Sequence, residues 1–326
     1  MTETAAFELS GRRVWVAGHR GMVGAALVRR LESEPCEILT AGREVLDLRR
    51  QAEVEDWMAA ERPGLVFIAA ATVGGILAND SRPADFLYDN LAIETNIIEA
   101  ARRVGTAKLV FLGSTCIYPR LAPQPMPEDA LLTGPLEETN QWYAVAKIAG
   151  IKLCDAFRRQ HGCDFISAQP TNLYGPEDNF ELASSHVLPA LMRKIHEAKE
   201  TGADTVEIWG SGTPRREFLY VDDLADALVF LARTYGAEGH VNVGTGSDLT
   251  ILELAQAIAR TVGYDGAFHC DASKPDGTPR KLVDVAKLTG LGWTARTSLD
   301  DGLARTYRWY RDHADTVNRA APVPTV

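Results

Sequence analysis

The stretch RRVWVAGHRGMVGAALVRRL, residues 12 to 31, constrains this chain more than any other segment. A short apolar run ends in glycines at 18, 21 and 24, and an amphipathic helix begins at once. Each glycine suits its place for a different reason: a tight turn, close approach of a pyrophosphate to backbone N–H groups, and close packing of helix on strand. The helix N-terminus adds positive potential where the anion would sit. Glycine spacing alone is a weak signal, but its placement between the first strand and the first helix makes this a dinucleotide cradle. Its residues are Gly18, Arg20, Gly21, Met22, Val23 and Gly24.

Beyond this segment the chain keeps the alternation of βαβ units. CEILTAG, GLVFIAAA, KLVFLGST and DFISAQP are strands, and they are nearly all apolar, as burial on both faces requires. Helices are expected over 22–33, EVEDWMAAER, about 83–103 and about 141–160. The fold class is therefore α/β with a doubly wound parallel sheet. After NLYGP (172–176) the strict alternation lapses. A helix near 186–200 precedes EIWGSGTPRREFLYV, then come a helix at 222–233, the strand HVNVGTG and a helix at 250–262. The expected division is a nucleotide-binding domain over 1–175, with re-entrant segments near 213–245. A smaller C-terminal α/β substrate lobe takes 176–212 and 246–313. Residues 314–326 lack apolar periodicity and read as a frayed tail, and residues 1–10 as a loose start.

Charge narrows the partners. Against 34 Lys and Arg stand 44 Asp and Glu, a net −10, which opposes broad attraction to nucleic acid or an anionic membrane. An anionic ligand must then be met by local arginines. At the end of the second strand, where NAD enzymes carry Asp or Glu for the ribose 2′-hydroxyl, this chain has TAGRE and offers Arg43. A guanidinium fork suits a 2′-phosphate, and Arg20 can join it, so the cofactor expected is NADP(H). The five cysteines form no C-x-x-C pair, which argues against a disulfide framework or a metal site. They fit a reducing cytoplasm, as does a start (MTETAAFELSGRR) without the apolar segment of an export leader.

GSTCIYP closes the fourth apolar run and supplies Ser114 at a strand end; NQWYAVAK then sets Tyr143 and Lys147 four apart on one helix face. Ser114 and Tyr143 can bond one carbonyl oxygen. The Lys147 ammonium, with a positive nicotinamide, is expected to lower the Tyr143 pKa so that the phenol passes a proton near neutral pH.

With these residues in place the chain resembles the extended short-chain dehydrogenase/reductases, and within them the GDP-L-fucose synthase branch, the GDP-4-keto-6-deoxy-D-mannose 3,5-epimerase/4-reductases. The resemblance runs from about Arg12 to Tyr310. It is carried by GHRGMVG (18–24), ATVGGI (71–76), GSTCIYP (113–119), YAVAK (143–147), NLYGP (172–176), HVLPALMRK (186–194), WGSGTPRREFLYVDD (209–223) and PDGTPRKL (275–282). It implies a Rossmann-type domain, a lobe for the nucleotide sugar, bound NADPH, and a homodimer built through helices 83–103 and 141–160. It assigns Cys116 and His186 to the acid–base work of epimerisation, with His186 holding a proton near neutral pH and also bordering the cofactor. Lys147 would hold the nicotinamide ribose. Lys194, Trp209 and Arg216 would contact the GDP moiety, with Asn172 and Arg193 near it. No metal is implied. The substrate implied is GDP-4-keto-6-deoxy-mannose. Another GDP-keto sugar, a 6-deoxy-heptose or a colitose precursor, fits the same residues. A non-catalytic NADP-binding sensor is the rival from a different class.

Overall fold

The computed structural model describes residues 7–274 and 276–317. Its main sheet has six parallel strands in the order β2-β1-β3-β4-β5-β9. They are β1 (Arg13–Ala17), β2 (Glu37–Leu39), β3 (Leu65–Ile68), β4 (Lys108–Leu112), β5 (Phe165–Pro170) and β9 (His240–Val243). Strand period two explains the double layer. Val14 and Val16 of β1 enter one core, and Trp15 and Ala17 enter the other. Leu65 and Phe67 of β3 face the first core while Val66 and Ile68 face the second. α1 (Met22–Leu31) and α7 (Val221–Thr234) close the first face. α2 (Gln51–Glu61), α4 (Pro83–Val104) and α5 (Gln141–His161) close the second. α3 (Ile76–Ser81) is a short turn before α4. The sheet is the Rossmann-type, doubly wound parallel sheet that the apolar runs predict.

The smaller region is built around β8 (Arg215–Tyr220), which pairs with β6 (Asn172–Tyr174) and β12 (Arg280–Lys281) in parallel and with β10 (Asp248–Thr250) antiparallel. β7 (Thr205–Trp209) and β11 (Ala267–Asp271) form a separate parallel pair. α6 (Val187–Thr201), α8 (Ile251–Val262) and α10 (Leu299–Val317) pack here around Tyr174, Phe180, Leu254 and Tyr310. α9 (Ala286–Leu291) returns to β9, and Leu288 and Trp293 enter the first core. Glu217 on β8 is fully buried; its carboxylate accepts Thr245 N–H at 2.6 Å, Gly246 N–H at 2.7 Å and Val283 N–H at 3.0 Å. One side chain thus anchors two separate loops, which a buried carboxylate must do to offset its desolvation.

Both chain ends depart from expectation where they are described. Leu9 is 1% exposed in the first core and Phe7 N–H bonds Arg233 O at 2.9 Å, so residues 7–10 are tied down. Residues 314–317 continue α10, because Leu303, Tyr307, Tyr310, Ala314 and Val317 recur every three or four residues and meet the third core. Residues 1–6 and 318–326, and Pro275 of the PDGTPRKL motif, lie outside the described residues. No helix among the described residues is long and apolar enough to cross a membrane.

Candidate active site

The cofactor side lies at the carboxyl ends of β1, β2 and β3, where strand order reverses, the usual binding crevice of an open α/β sheet. A cavity of about 320 Å³ opens there, bounded by Gly18, Arg20, Arg43, Asp47, Arg49 and Thr72. Gly18 has φ +91°, and a Cβ on it would lie 2.6 Å from Ala70 N. At Gly24 a Cβ would come within 2.1 Å of Gly18 O, so the first and third glycines serve chain-to-chain packing. A Cβ at Gly21 would meet nothing nearer than 3.6 Å and would fill the loop mouth itself. Met22 and Val23 open α1 and pack against the first core. This cradle fits a dinucleotide pyrophosphate, and Gly21 is the position that leaves it room.

Arg43 lines the cavity, as does Arg20, whose fork holds the Glu44 carboxylate with Nη1 2.7 Å from Oε2. Arg20 must exchange that carboxylate for any phosphate it binds. Arg49 donates to Asp47 Oδ2 at 2.8 Å and to Asp89 Oδ1 at 3.2 Å, and its bonds hold the Asp47 carboxyl down at about 2. Neither Asp47 nor Arg49 stood out in the sequence, since a DLRR string by itself carries no spacing signal.

The chemical side grows from the end of β4. Ser114 precedes a single 3₁₀ turn, Thr115–Ile117, and its Oγ accepts Cys116 N–H at 3.3 Å. That bond turns Cys116 toward the first turn of α5, where Asn140 Nδ2 donates to Sγ at 3.5 Å. Cys116 is only partly buried. Tyr143 lies within electrostatic reach of the sulfur and within hydrogen-bonding reach of Ser114, its ring edge-on to Phe86 at 6.5 Å. Burial, then Cys116 and Glu94, hold the Tyr143 phenol above its ordinary value, while Ser114 works the other way.

This is the opposite of the direction expected from Lys147 with a bound nicotinamide: burial is the largest cause, and Lys147 is itself engaged by a carboxylate. Its ammonium sits 5.8 Å from the Tyr143 ring centre, 4.7 Å from that of Phe111 and 4.0 Å from Glu94 Oε2. Burial lowers the Lys147 pKa and raises that of Glu94, each opposing the other's shift. Glu94 is 1% exposed on α4, and its charge adds to burial in raising the Tyr143 phenol. The sequence did contain a signal: NLAIETNII places one carboxylate in the apolar stripe of a helix.

His186 stands at the N-terminal end of α6. Solvent reaches it, yet the protein surrounding it, followed by the Lys281 ammonium, lowers its pKa below the ordinary imidazole value. Lys281 is in register with Arg216 across β12 and β8. Arg216 in turn lies within electrostatic reach of Cys116, with Nη1 bonded to Thr278 O at 2.6 Å. The two proposed proton carriers are thus linked through neighbours on one small sheet.

Farther out, Trp209 is 54% exposed at the end of β7. Lys194 Nζ is 5.2 Å and Lys274 Nζ 5.7 Å from its ring centre, so a flat aromatic face and two ammonium groups stand together. Lys274 adds to the residues singled out from sequence. Asn172 is committed elsewhere, donating to Glu217 O at 2.8 Å across β6 and β8, and Arg193 bonds Glu197 and Phe180 O.

The comparisons with known proteins agree with this geometry. The GDP-L-fucose synthase of Sinorhizobium fredii is 58% identical over 299 residues, covering 92% of this chain and 95% of that one. GDP-L-fucose synthase 1 of Arabidopsis thaliana is 56% identical over 316 residues, 95% of this chain and 98% of its own. Among solved structures, a GDP-L-fucose synthetase from Naegleria fowleri bound to NADP superposes with a TM-score of 0.90 at 29% identity, covering 97% of this chain and 98% of that one. The matching family model spans residues 14–244, from β1 through the Ser114, Tyr143 and Lys147 cluster to the end of β9. With that span and those relatives, the chain belongs to the NAD dependent epimerase/dehydratase family.

Proposed function

We propose that this protein converts GDP-4-keto-6-deoxy-D-mannose to GDP-L-fucose by 3,5-epimerisation followed by NADPH-dependent 4-reduction. The observation that carries the reading is the placement of a partly buried thiol, Cys116, beside the Ser114 and Tyr143 hydroxyl pair and the Arg216 guanidinium. A plain reductase has no use for a sulfur there. A keto group acidifies the C–H bonds at the neighbouring carbons, C3 and C5. Cys116 takes a proton from one face of the ring, and the C–H electron pair moves onto the carbonyl oxygen as an enolate. Ser114 and Tyr143 hold that oxygen by hydrogen bonds. His186 returns a proton to the carbon from the other face; with a lowered pKa, its imidazolium is the stronger acid once formed.

Bound NADPH supplies the hydride for C4. Tyr143, kept protonated by burial and by Glu94, gives its proton to the oxygen as the alkoxide develops. Lys147 lies under Tyr143 and would hold the nicotinamide ribose, and Arg43 with Arg20 would meet the 2′-phosphate. Trp209, Lys194 and Arg216 take the GDP moiety, the indole offering its face and the cations offsetting diphosphate charge that a chain of net −10 repels. Asn172 holds β6 to β8, the strand that carries Arg216.

We further propose a homodimer working in the cytoplasm. Tyr88 on α4 and Trp142 and Val145 on α5 leave large apolar side chains exposed on two adjacent helices. Light scattering on the purified protein gives the mass directly.

The decisive assay incubates the pure protein with GDP-4-keto-6-deoxy-mannose and NADPH, following absorbance and product configuration. Oxidation with a fucose-configured product supports the reading. Oxidation only with a GDP-keto-heptose or a 3,6-dideoxy sugar moves it to the neighbouring substrate, and no oxidation with any of them ends it.

A further inference from the structure

Asn140 immediately precedes α5, the position where an Asn side chain ordinarily accepts a backbone N–H from the first turn. No such bond forms here. Nδ2 instead donates to Cys116 Sγ at 3.5 Å, and Oδ1 is buried with no hydrogen-bond partner. The residue thus forgoes a cap and leaves one polar atom unpaired. Local rules broken together in this way collect where function overrides stability.

We propose that Asn140 is a positioning residue for epimerisation, its amide N–H aiming the Cys116 sulfur and favouring the thiolate that takes the proton from carbon. The proposal rests on the base role given above to Cys116. Three groups face the sulfur from the elements around it. On its own turn Ser114 Oγ is committed to Cys116 N–H. From α5 comes the Tyr143 phenol, and from β8 the Arg216 guanidinium. Arg216 attracts an anion from any direction, whereas an N–H donor fixes one lone-pair direction and leaves the others for the sugar. When the sulfur takes a proton from carbon, the C–H pair passes to the keto oxygen and the amide hydrogen stays on nitrogen.

The test uses the full chain without nucleotide or sugar. Iodoacetamide alkylation of Cys116 is followed against pH by peptide mass mapping, which separates it from Cys36, Cys163 and Cys270, none of them fully buried. Asn140→Asp keeps the size but replaces the donor with a negative acceptor. The alkylation midpoint should rise by about one pH unit, with roughly tenfold slower labelling at pH 7. Asn140→Ala should shift the same way by less, and in both variants solvent-deuterium exchange into the keto sugar should follow the shifted profile. Because Asn140→Ala keeps the test alive if the charged variant folds poorly, both melting curves are recorded. Wild-type alkylation profiles in the folded variants would overturn the proposal. Cys116→Ser distinguishes the two levels: exchange persisting at the wild-type rate in that variant removes the base role of the thiol, whatever Asn140 does to alkylation.

Discussion

The two sides of the cleft are made differently. Ser114, Cys116, Tyr143 and Lys147 stand at the end of β4, a central strand of the sheet, and on α5, which packs on the sheet and against α4. Lys147 is itself buried, with Phe111 beneath it. Trp209 and its two lysines stand on β7, α6 and the segment after β11, where every second residue of β7 is open to solvent. On the proposed function the two sides take different tasks: bond-making tolerates little displacement and falls to the packed elements, while recognition of a flat base and a diphosphate tolerates more and falls to the outer strand pair. If that division is real, substitutions on the packed side change turnover and those on the outer side change binding.

The largest effect should come from Tyr143→Phe, which removes the proton donor while leaving the ring against Phe86. Reduction, read as loss of NADPH absorbance, should fall by about 10³-fold, and solvent-deuterium exchange into the sugar should fall less, because Ser114 still holds the enolate oxygen. Cys116→Ser should do the converse, lowering exchange by roughly 10²-fold because a hydroxyl is the weaker base. Trp209→Ala should raise KM by about tenfold and leave kcat within about threefold. A fall in kcat there as deep as that of Tyr143→Phe would break the division outright. The smallest effect is in stability alone. The Asp47 carboxyl is depressed from 3.8 to about 2 by Arg49, so its contribution is present above the ordinary value and is lost as pH falls through 2. Asp47→Asn should cost roughly 1 kcal/mol or less at pH 7 and flatten the denaturant-measured slope between pH 4 and 2.

Legibility in the sequence followed the same division. The six-stranded sheet declared itself because burial on both faces forces unbroken apolar runs, and the glycine spacing follows from close chain approach. The small lobe was harder. β6, β10, β11 and β12 are 3, 3, 5 and 2 residues long, too short for periodicity to register. α10 carried a regular stripe that its many charged residues hid. Residue types and spacing brought out Ser114, Tyr143 and Lys147, but not how their charges balance. The Tyr143 expectation counted Lys147 and left out burial, the largest cause, and Glu94, which reaches it only across the packing of α4 on α5. Asn140 gave no signal, since an Asn before a helix is the commonest of caps.

Arg216 and Glu217 are consecutive on β8 and point to opposite sides of its ribbon, one toward the sulfur and one into the anchored loops. A slip of one residue in this strand would swap them, bringing an anion to the sulfur and a cation into the anchored loops. The Arg216 charge is consequently held in place by hydrogen-bond pairing rather than by the shape of any connecting segment. Homologous chains could lengthen or trim the neighbouring turns freely, provided that Thr250, Arg280 and their strands keep β8 from sliding.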